Sequence, residues 1–232
     1  MSVIALIPAY NEAASIGATV TAARSVPTID RVVVVDDASD DNTGQLARAA
    51  GAEMLRLPEN RGKGGALQAG LDHIGQTPDI LVLLDGDLGK TAAEATALVA
   101  PILEARADMT VAVLPHPGHP AGFGLVKSLA RTGIRTLSGY DAAAPLSGQR
   151  ALSGNAVSLA MPFARGFGVE VALTVRVYRA GGRIVEVPTT MRHAATGRNL
   201  AGFVHRGKQL LSVAAALVRL GFERQSVGDS GG

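Results

Sequence analysis

The sequence contains no cysteine and no tryptophan, and only 3% of its 232 residues are aromatic. Without cysteine there is no disulfide scaffold, no thiol nucleophile and no thiolate-bound metal or iron–sulfur site, and a cytoplasmic location is the natural expectation. So few aromatic rings leave few platforms for stacking single-stranded bases, and nucleic acid is not an expected partner. No uninterrupted apolar run approaches the roughly 18–20 residues that a membrane span needs. The N-terminus passes directly into Val3-Ile4-Ala5-Leu6-Ile7 without a basic leader, so it is expected to be a first strand rather than a signal peptide. At 47% hydrophobic and 18% charged, the chain is too apolar for disorder and long enough for one domain with its own core.

Acid is scarce in one half. Residues 109–232 carry 5 acids and 14 bases, a net of +9, whereas residues 1–108 carry 15 acids and 8 bases, a net of −7. The overall charge of +2 conceals this division, which points to two kinds of surface for two kinds of partner.

The first half alternates short β-branched runs with helical patterns. Strands are predicted at Val3–Ile7, Arg31–Val35, Ala52–Leu57 and Ile80–Leu84, with helices over Glu12–Ser25, Asp41–Ala50 and Lys63–Ile74. Val32-Val33-Val34-Val35 shows no polar alternation, which suits a strand covered on both faces of a parallel sheet. This order predicts an α/β fold with an open, mostly parallel sheet, helices on both faces and a crevice at the strands' C-terminal ends. The second half is less regular. Helices are expected at Ala92–Ala105, Val126–Leu137 and 204–220, strands at Met109–Leu114 and Arg183–Val187, and a further segment runs from Pro162 to Tyr178. His116–Gly122 reads as a proline- and glycine-rich loop and Gly228–Gly232 as a tail. No repeat or linker interrupts residues 1–225, so one domain is expected, with 226–232 as its tail.

Three acidic clusters fall at strand ends. Pro8-Ala9-Tyr10-Asn11-Glu12 follows the first strand, Asp36-Asp37-Ala38-Ser39-Asp40-Asp41 the second, and Asp85-Gly86-Asp87 the later one. Each alone has a plain structural reading, as a solvated turn, a helix cap or a strand terminus. Together they line one crevice, and the two carboxylates of Asp85-Gly86-Asp87 suit Mg2+ or Mn2+ held jointly with substrate phosphates. Asn60-Arg61-Gly62-Lys63-Gly64-Gly65-Ala66 adds a glycine-rich helix start with a cation, a natural phosphate site, although it lacks the spacing of a P-loop. Paired acids after one strand also fit a phospho-receiver, a reading that leaves Gly62–Leu67 and the basic half unused. A dinucleotide-binding dehydrogenase is disfavoured because no G-x-G-x-x-G follows the first strand.

In order and spacing, Pro8–Glu12, Val34–Ser39, Gly62–Leu67 and Leu84–Asp87 resemble the family 2 glycosyltransferases of the GT-A fold, over roughly the first half of the chain. Polyprenol- or dolichol-phosphate sugar synthases and phosphoglycerate sugar synthases are the most similar groups. The resemblance implies a UDP- or GDP-linked sugar donor, a divalent cation, and an acceptor that the charge division suggests is anionic, lipid-linked or a small phosphorylated acid. By the same resemblance, Pro8, Ala9, Tyr10, Glu12, Asp36 and Asp37 would contact base and ribose, Lys63 the nucleotide, and Asp85, Gly86 and Asp87 the metal and diphosphate, Asp87 with a catalytic role. A non-catalytic nucleotide-sugar-binding protein would share these features.

Within the basic half, Ser147-Gly148-Gln149-Arg150-Ala151 resembles an acceptor-side segment, so Gly148, Gln149 and Arg150 are expected to bind the acceptor. Glu170, one of three acids between Met109 and Phe222, is the candidate base for an acceptor hydroxyl; a phosphate acceptor needs no base, and Glu170 would then orient substrate. The resemblance also implies a further metal ligand from this region, which makes His193 a candidate metal or diphosphate ligand, and Arg192 and Arg198 are candidate diphosphate or leaving-group partners. No acid occurs from Val187 to Phe222, so the amphipathic 204–220 helix could dock on an anionic membrane surface or simply pack on the sheet. Residues 1–108 are thus expected to hold donor and metal, and residues 109–225 the acceptor.

Overall fold

The computed structural model of the chain describes residues 1–115, 124–193 and 200–228, with backbone alone for 200–208 and 224–228. Among the described residues, seven strands form one sheet: β1 (Val3–Ala9), β2 (Arg31–Asp36), β3 (Glu53–Arg56), β4 (Ile80–Leu83), β5 (Met109–Val113), β6 (Arg150–Ser153) and β7 (Ile184–Pro188). Their spatial order is β3-β2-β1-β4-β6-β5-β7. β1 pairs in parallel with β2 and β4, β2 with β3, and β5 with β7. β6 alone runs antiparallel, wedged between β4 and β5.

Alternate residues of each apolar run serve opposite faces, as the pleat demands. Ala5, Ile7, Val32 and Val34 pack with Ile16 and Val20 of α1 (Ile16–Arg24), Ala47 of α2 (Thr43–Ala49) and Leu98 of α4 (Ala95–Leu103). Leu6, Val33 and Val35 turn the other way, onto Leu67 and Leu71 of α3 (Gly62–Ile74), Val157 of α6 (Gly154–Ala160) and Leu173 of α7 (Val169–Arg179). Double coverage explains why Val32–Val35 carry no polar alternation. A third cluster joins α7 to α5 (Gly124–Ser138) and α8 (Leu200–Gly228) through Val126, Ile134, Val171, Val175, Val213 and Leu220.

The predicted sheet is present, with adjustments. Glu12–Ser25 is helical only from Ile16, because Glu12 O accepts from both Ser15 N and Ile16 N in a preceding turn. Ala92–Ala105 divides into a 3-10 segment, Gly89–Glu94, and α4. β6 and α6 were not anticipated: the four residues Arg-Ala-Leu-Ser carry no β-branched signal, and the strand exists because β4 and β5 flank it. α8 is longer at both ends than 204–220 and takes in Gly228, which sequence assigns to the tail; residues 229–232 and the His116–Gly122 loop lie outside the described residues.

Candidate active site

Asp85-Gly86-Asp87 leaves the C-terminal end of β4, and hydroxyls from α1 and the turn before it fix its path. Thr19 Oγ1 and Ser15 Oγ donate to Gly86 O at 2.8 and 3.2 Å, and Thr19 Oγ1 accepts from Gly89 N at 2.8 Å. A Cβ on Gly86 would meet Ala9 and Glu12 at 3.3–3.5 Å, so a glycine lets the loop lie against the end of β1. Ser15 and Thr19 escaped the sequence reading; the spacing i, i+4 on one helix face was the available signal.

Five ionisable side chains and an amide then converge. Lys63 Nζ, in the first turn of α3, lies 2.5 Å from Asp85 Oδ1 and 2.9 Å from Glu170 Oε1. Gln149 Nε2 donates to Asp85 Oδ2 at 2.6 Å. His193 Nδ1 lies 2.8 Å from Asp87 Oδ1 and 4.0 Å from Asp85 Oδ2. Gly148 leaves the room this needs: a Cβ there would fall on Lys63 Nζ and within 2.9 Å of both Asp85 oxygens.

Burial opposes the charge of Lys63, but the Asp85 and Glu170 carboxylates outweigh it and hold the ammonium well above its ordinary pKa. Burial likewise works against ionised Asp85, yet the charges of Lys63 and His193 and the bonds from Lys63 and Gln149 keep its carboxyl below the usual range. His193 is raised by its bond to Asp87, against the effect of burial and with the help of Asp85. Glu12, half-buried, is raised by desolvation and then by the charge of Asp87.

One ligand atom each from Asp85, Asp87 and His193 lies within 4.8 Å of the others. Two hard carboxylates and an imidazole fit Mg2+ or Mn2+, which take oxygen-rich sets and share them with phosphate.

The other candidates are placed as follows. Asp36 is fully buried; it accepts from Ser39 N at 2.9 Å and Arg56 NH1 at 2.7 Å. Asp37 accepts from Arg61 N and Gly62 N at 2.7 and 2.8 Å, pairing two orphan amides at the start of α3 and so fixing the turn that carries Lys63. Pro8 and Ala9 close β1, and Tyr10 stands 46% exposed beyond it. Arg192 is exposed, and its backbone is tied to Thr91; Arg198 lies outside the described residues.

Arg150 departs from expectation. It has zero exposure, donating to Ser147 O and Thr174 Oγ1 at 2.8 Å each, and burial lowers its pKa to about 10. As a strand residue of β6 its side chain must enter one packed face or the other, and it enters the α7 side. Gln149 too has zero exposure and turns to Asp85.

Residues 4–141 match the family described as Glycosyl transferase family 2. The chain belongs to that family. It is a glycosyltransferase, similar to an undecaprenyl-phosphate mannosyltransferase of Micrococcus luteus, with 30% identity over 213 residues covering 86% of this chain and 87% of that one. A glycosyltransferase of Haloferax volcanii, AglJ, is 32% identical over 82% of this chain, which spans only 62% of that relative. Among solved structures, glucosyl-3-phosphoglycerate synthase from Mycobacterium tuberculosis with phosphoglyceric acid superposes with a TM-score of 0.78 at 27% identity, covering 94% of this chain and 79% of that one. The same synthase with Mn2+, UDP and glucosyl-3-phosphoglycerate gives 0.76 at 25% identity, with the same coverage. The enzyme's fold is therefore of the GT-A type, as its motifs implied.

Proposed function

We propose that the enzyme transfers a sugar from a UDP- or GDP-linked donor to an acceptor whose nucleophile is a phosphate oxygen. The observation that carries this reading is the engagement of Glu170. Its carboxylate is buried and bonded to Lys63 at 2.9 Å, so it is committed to a partner within the protein rather than open to an acceptor hydroxyl. The other two acids between Met109 and Phe222 are engaged as well. Asp141 pairs with Arg131 at 2.8 Å, and Glu186 accepts from Ala143 N and Ala144 N at 3.1 and 2.8 Å. An acceptor that arrives as an anion needs none of them.

In this reading an acceptor phosphate oxygen forms a bond to the anomeric carbon while the bond from that carbon to the donor diphosphate breaks, the diphosphate leaving with the electron pair. Asp85, Asp87 and His193 would hold Mg2+ or Mn2+, which supplies Lewis-acid neutralisation of the leaving diphosphate. Lys63 holds its positive charge beside Asp85 and is placed to meet the same phosphates. In this reading Pro8 and Tyr10 stand at the approach for the nucleoside, and Ala9, Asp36 and Asp37, all buried, hold the strand ends behind them. The support from relatives is a mannosyltransferase named for undecaprenyl phosphate and a synthase solved with UDP and Mn2+.

Between the two kinds of phosphate acceptor, α8 favours the lipid-linked one. Leu211, Val218 and Phe222, at i, i+7 and i+11, stand 71%, 61% and 68% exposed on one face, in a stretch from Val187 to Phe222 without an acid. An apolar stripe in a basic stretch suits an anionic lipid surface. Among the described residues no helix is long and apolar enough to cross a membrane, so contact would be peripheral.

The test is a product screen by mass spectrometry: UDP- and GDP-sugars with Mn2+ or Mg2+, against a polyprenyl phosphate in mixed micelles, a small phosphorylated acid, and a hydroxyl-only alcohol. A glycosyl phosphodiester on the polyprenyl phosphate is expected. Product on the hydroxyl-only alcohol alone would overturn the reading.

A further inference from the structure

We infer that Gln149 is a positioning residue for Asp85, setting the carboxylate oxygen that faces His193, rather than a contact for the acceptor. The inference rests on the metal-site reading above and concerns only how this chain's own residues shape it.

Gln149 stands just before β6, the strand wedged between β4 and β5, and its backbone oxygen accepts from Ala112 N of β5 at 2.9 Å. Its side chain has no exposure, so it can meet nothing that arrives from solvent. What it meets is Asp85 Oδ2, at 2.6 Å. That oxygen is the one 4.0 Å from His193 Nδ1, whereas Oδ1 is taken by Lys63 at 2.5 Å. The two oxygens of Asp85 are therefore held from opposite sides by donors on different elements.

The amide's orientation is fixed as well. Ser147 Oγ lies 3.2 Å from Gln149 Oε1 and donates to it. Reversing the amide would set a carbonyl oxygen 2.6 Å from a carboxylate oxygen, an arrangement that repels. The turn that presents the amide is closed by Arg150 Nε, which donates back to Ser147 O at 2.8 Å while Thr174 on α7 anchors the guanidinium. Gly148, within that turn, is small enough to clear Lys63 and Asp85.

The chemistry of the amide matters. A carboxylate offers about four lone-pair sites, so one neutral hydrogen bond to Oδ2 orients it and leaves capacity there for a cation. A second ammonium in place of the amide would compete with that cation for charge, and a carboxylate would repel Asp85. Partners that orient metal-ligating side chains in this way are worth about 10–100-fold in metal affinity or activity when removed.

The test measures Mn2+ binding to the full chain in the presence of UDP, with no acceptor and no turnover, by loss of the free-ion signal in electron paramagnetic resonance. Gln149→Leu is expected to weaken Mn2+ binding by about 10–100-fold. Gln149→Asn, shorter and still polar, is expected to move in the same direction and covers the case in which the leucine variant does not fold. Ser147→Ala should cost only a few-fold. With Mn2+ saturating, the acceptor KM should stay near that of the parent. Unchanged Mn2+ affinity in both Gln149 variants would overturn the inference, as would a raised acceptor KM with Mn2+ affinity intact. A parent chain that binds no Mn2+ with UDP would overturn the metal-site reading and this inference together.

Discussion

The acids of residues 1–108 and the bases of residues 109–232 are used in opposite ways. Asp36, Asp37, Asp85 and Asp87, all before residue 109, stand at the ends of neighbouring strands, and each has a partner within 2.8 Å. The bases after residue 109 disperse. Arg131 pairs with Asp141, Arg183 with Asp108, and Arg176 with Glu223, while Arg179 reaches Leu220 O and Arg150 is sealed behind β6. These five described bases are therefore spent on partners within the protein. The cation at the centre of the site, Lys63, comes from the acidic half, and the acid that shares it, Glu170, comes from the basic half. Net charge by segment speaks to surfaces and partners, whereas a site is made by the few groups the topology brings together.

Removing an acid at the crevice is expected to have the largest effect. Asp87→Ala should lower turnover by at least about 10²-fold, the scale seen when one electrostatic contact to a developing charge is lost. Thermal unfolding of the same variant should stay within about 0.5 kcal/mol of the parent, since the residue lies at the crevice and not in the core. Turnover near that of the parent would remove Asp87 from the reaction.

Within residues 109–232 the converse holds, and the expected loss is stability. Arg150→Ala should cost about 3 kcal/mol, by leaving a cavity and an unpaired carbonyl, Ser147 O, while Thr174 Oγ1 keeps its bond to Glu170 O. Arg150→Met, which refills the volume, should recover a large part of that in urea unfolding. Equal stability of the two variants would show that packing of this side chain contributes nothing.

The smallest effect concerns pH. The bond from Arg176 holds the Glu223 carboxyl below its usual range, against partial burial, so its stabilising effect is complete above the unfolded value near 4.3 and is lost as pH falls through the lower folded value. Glu223→Gln should therefore melt below the parent at pH 7, and the gap should narrow towards pH 3. A gap that is constant with pH would mean that charge plays no part in fastening α8 to α7.

Legibility in the sequence followed the same division. β1, β2 and β4 were readable because buried parallel strands are written as apolar runs, and the strand-end acids because Asp85, Gly86 and Asp87 adjoin such a run. β6 was not, since its four residues include an arginine and owe their conformation to two flanking strands. The bonds from Gln149 and Glu170 to the site were equally hidden. Gln149 and Asp85 are 64 residues apart, and Glu170 meets Lys63 only because α7 and α3 cover the same face of the sheet. His193 was legible as a candidate donor from its loop, but its bond to Asp87 spans 106 residues and is a product of the topology.

In the proposed reaction no carboxylate acts as a base, because the acceptor attacks through phosphate. The most direct test is turnover of Glu170→Gln with a polyprenyl phosphate acceptor and saturating donor and metal. We predict a kcat within about tenfold of the parent, since only the partner of Lys63 is altered. A loss on the order of 10²–10⁴-fold, the usual contribution of general-base catalysis, with fold and Mn2+ affinity intact, would contradict it.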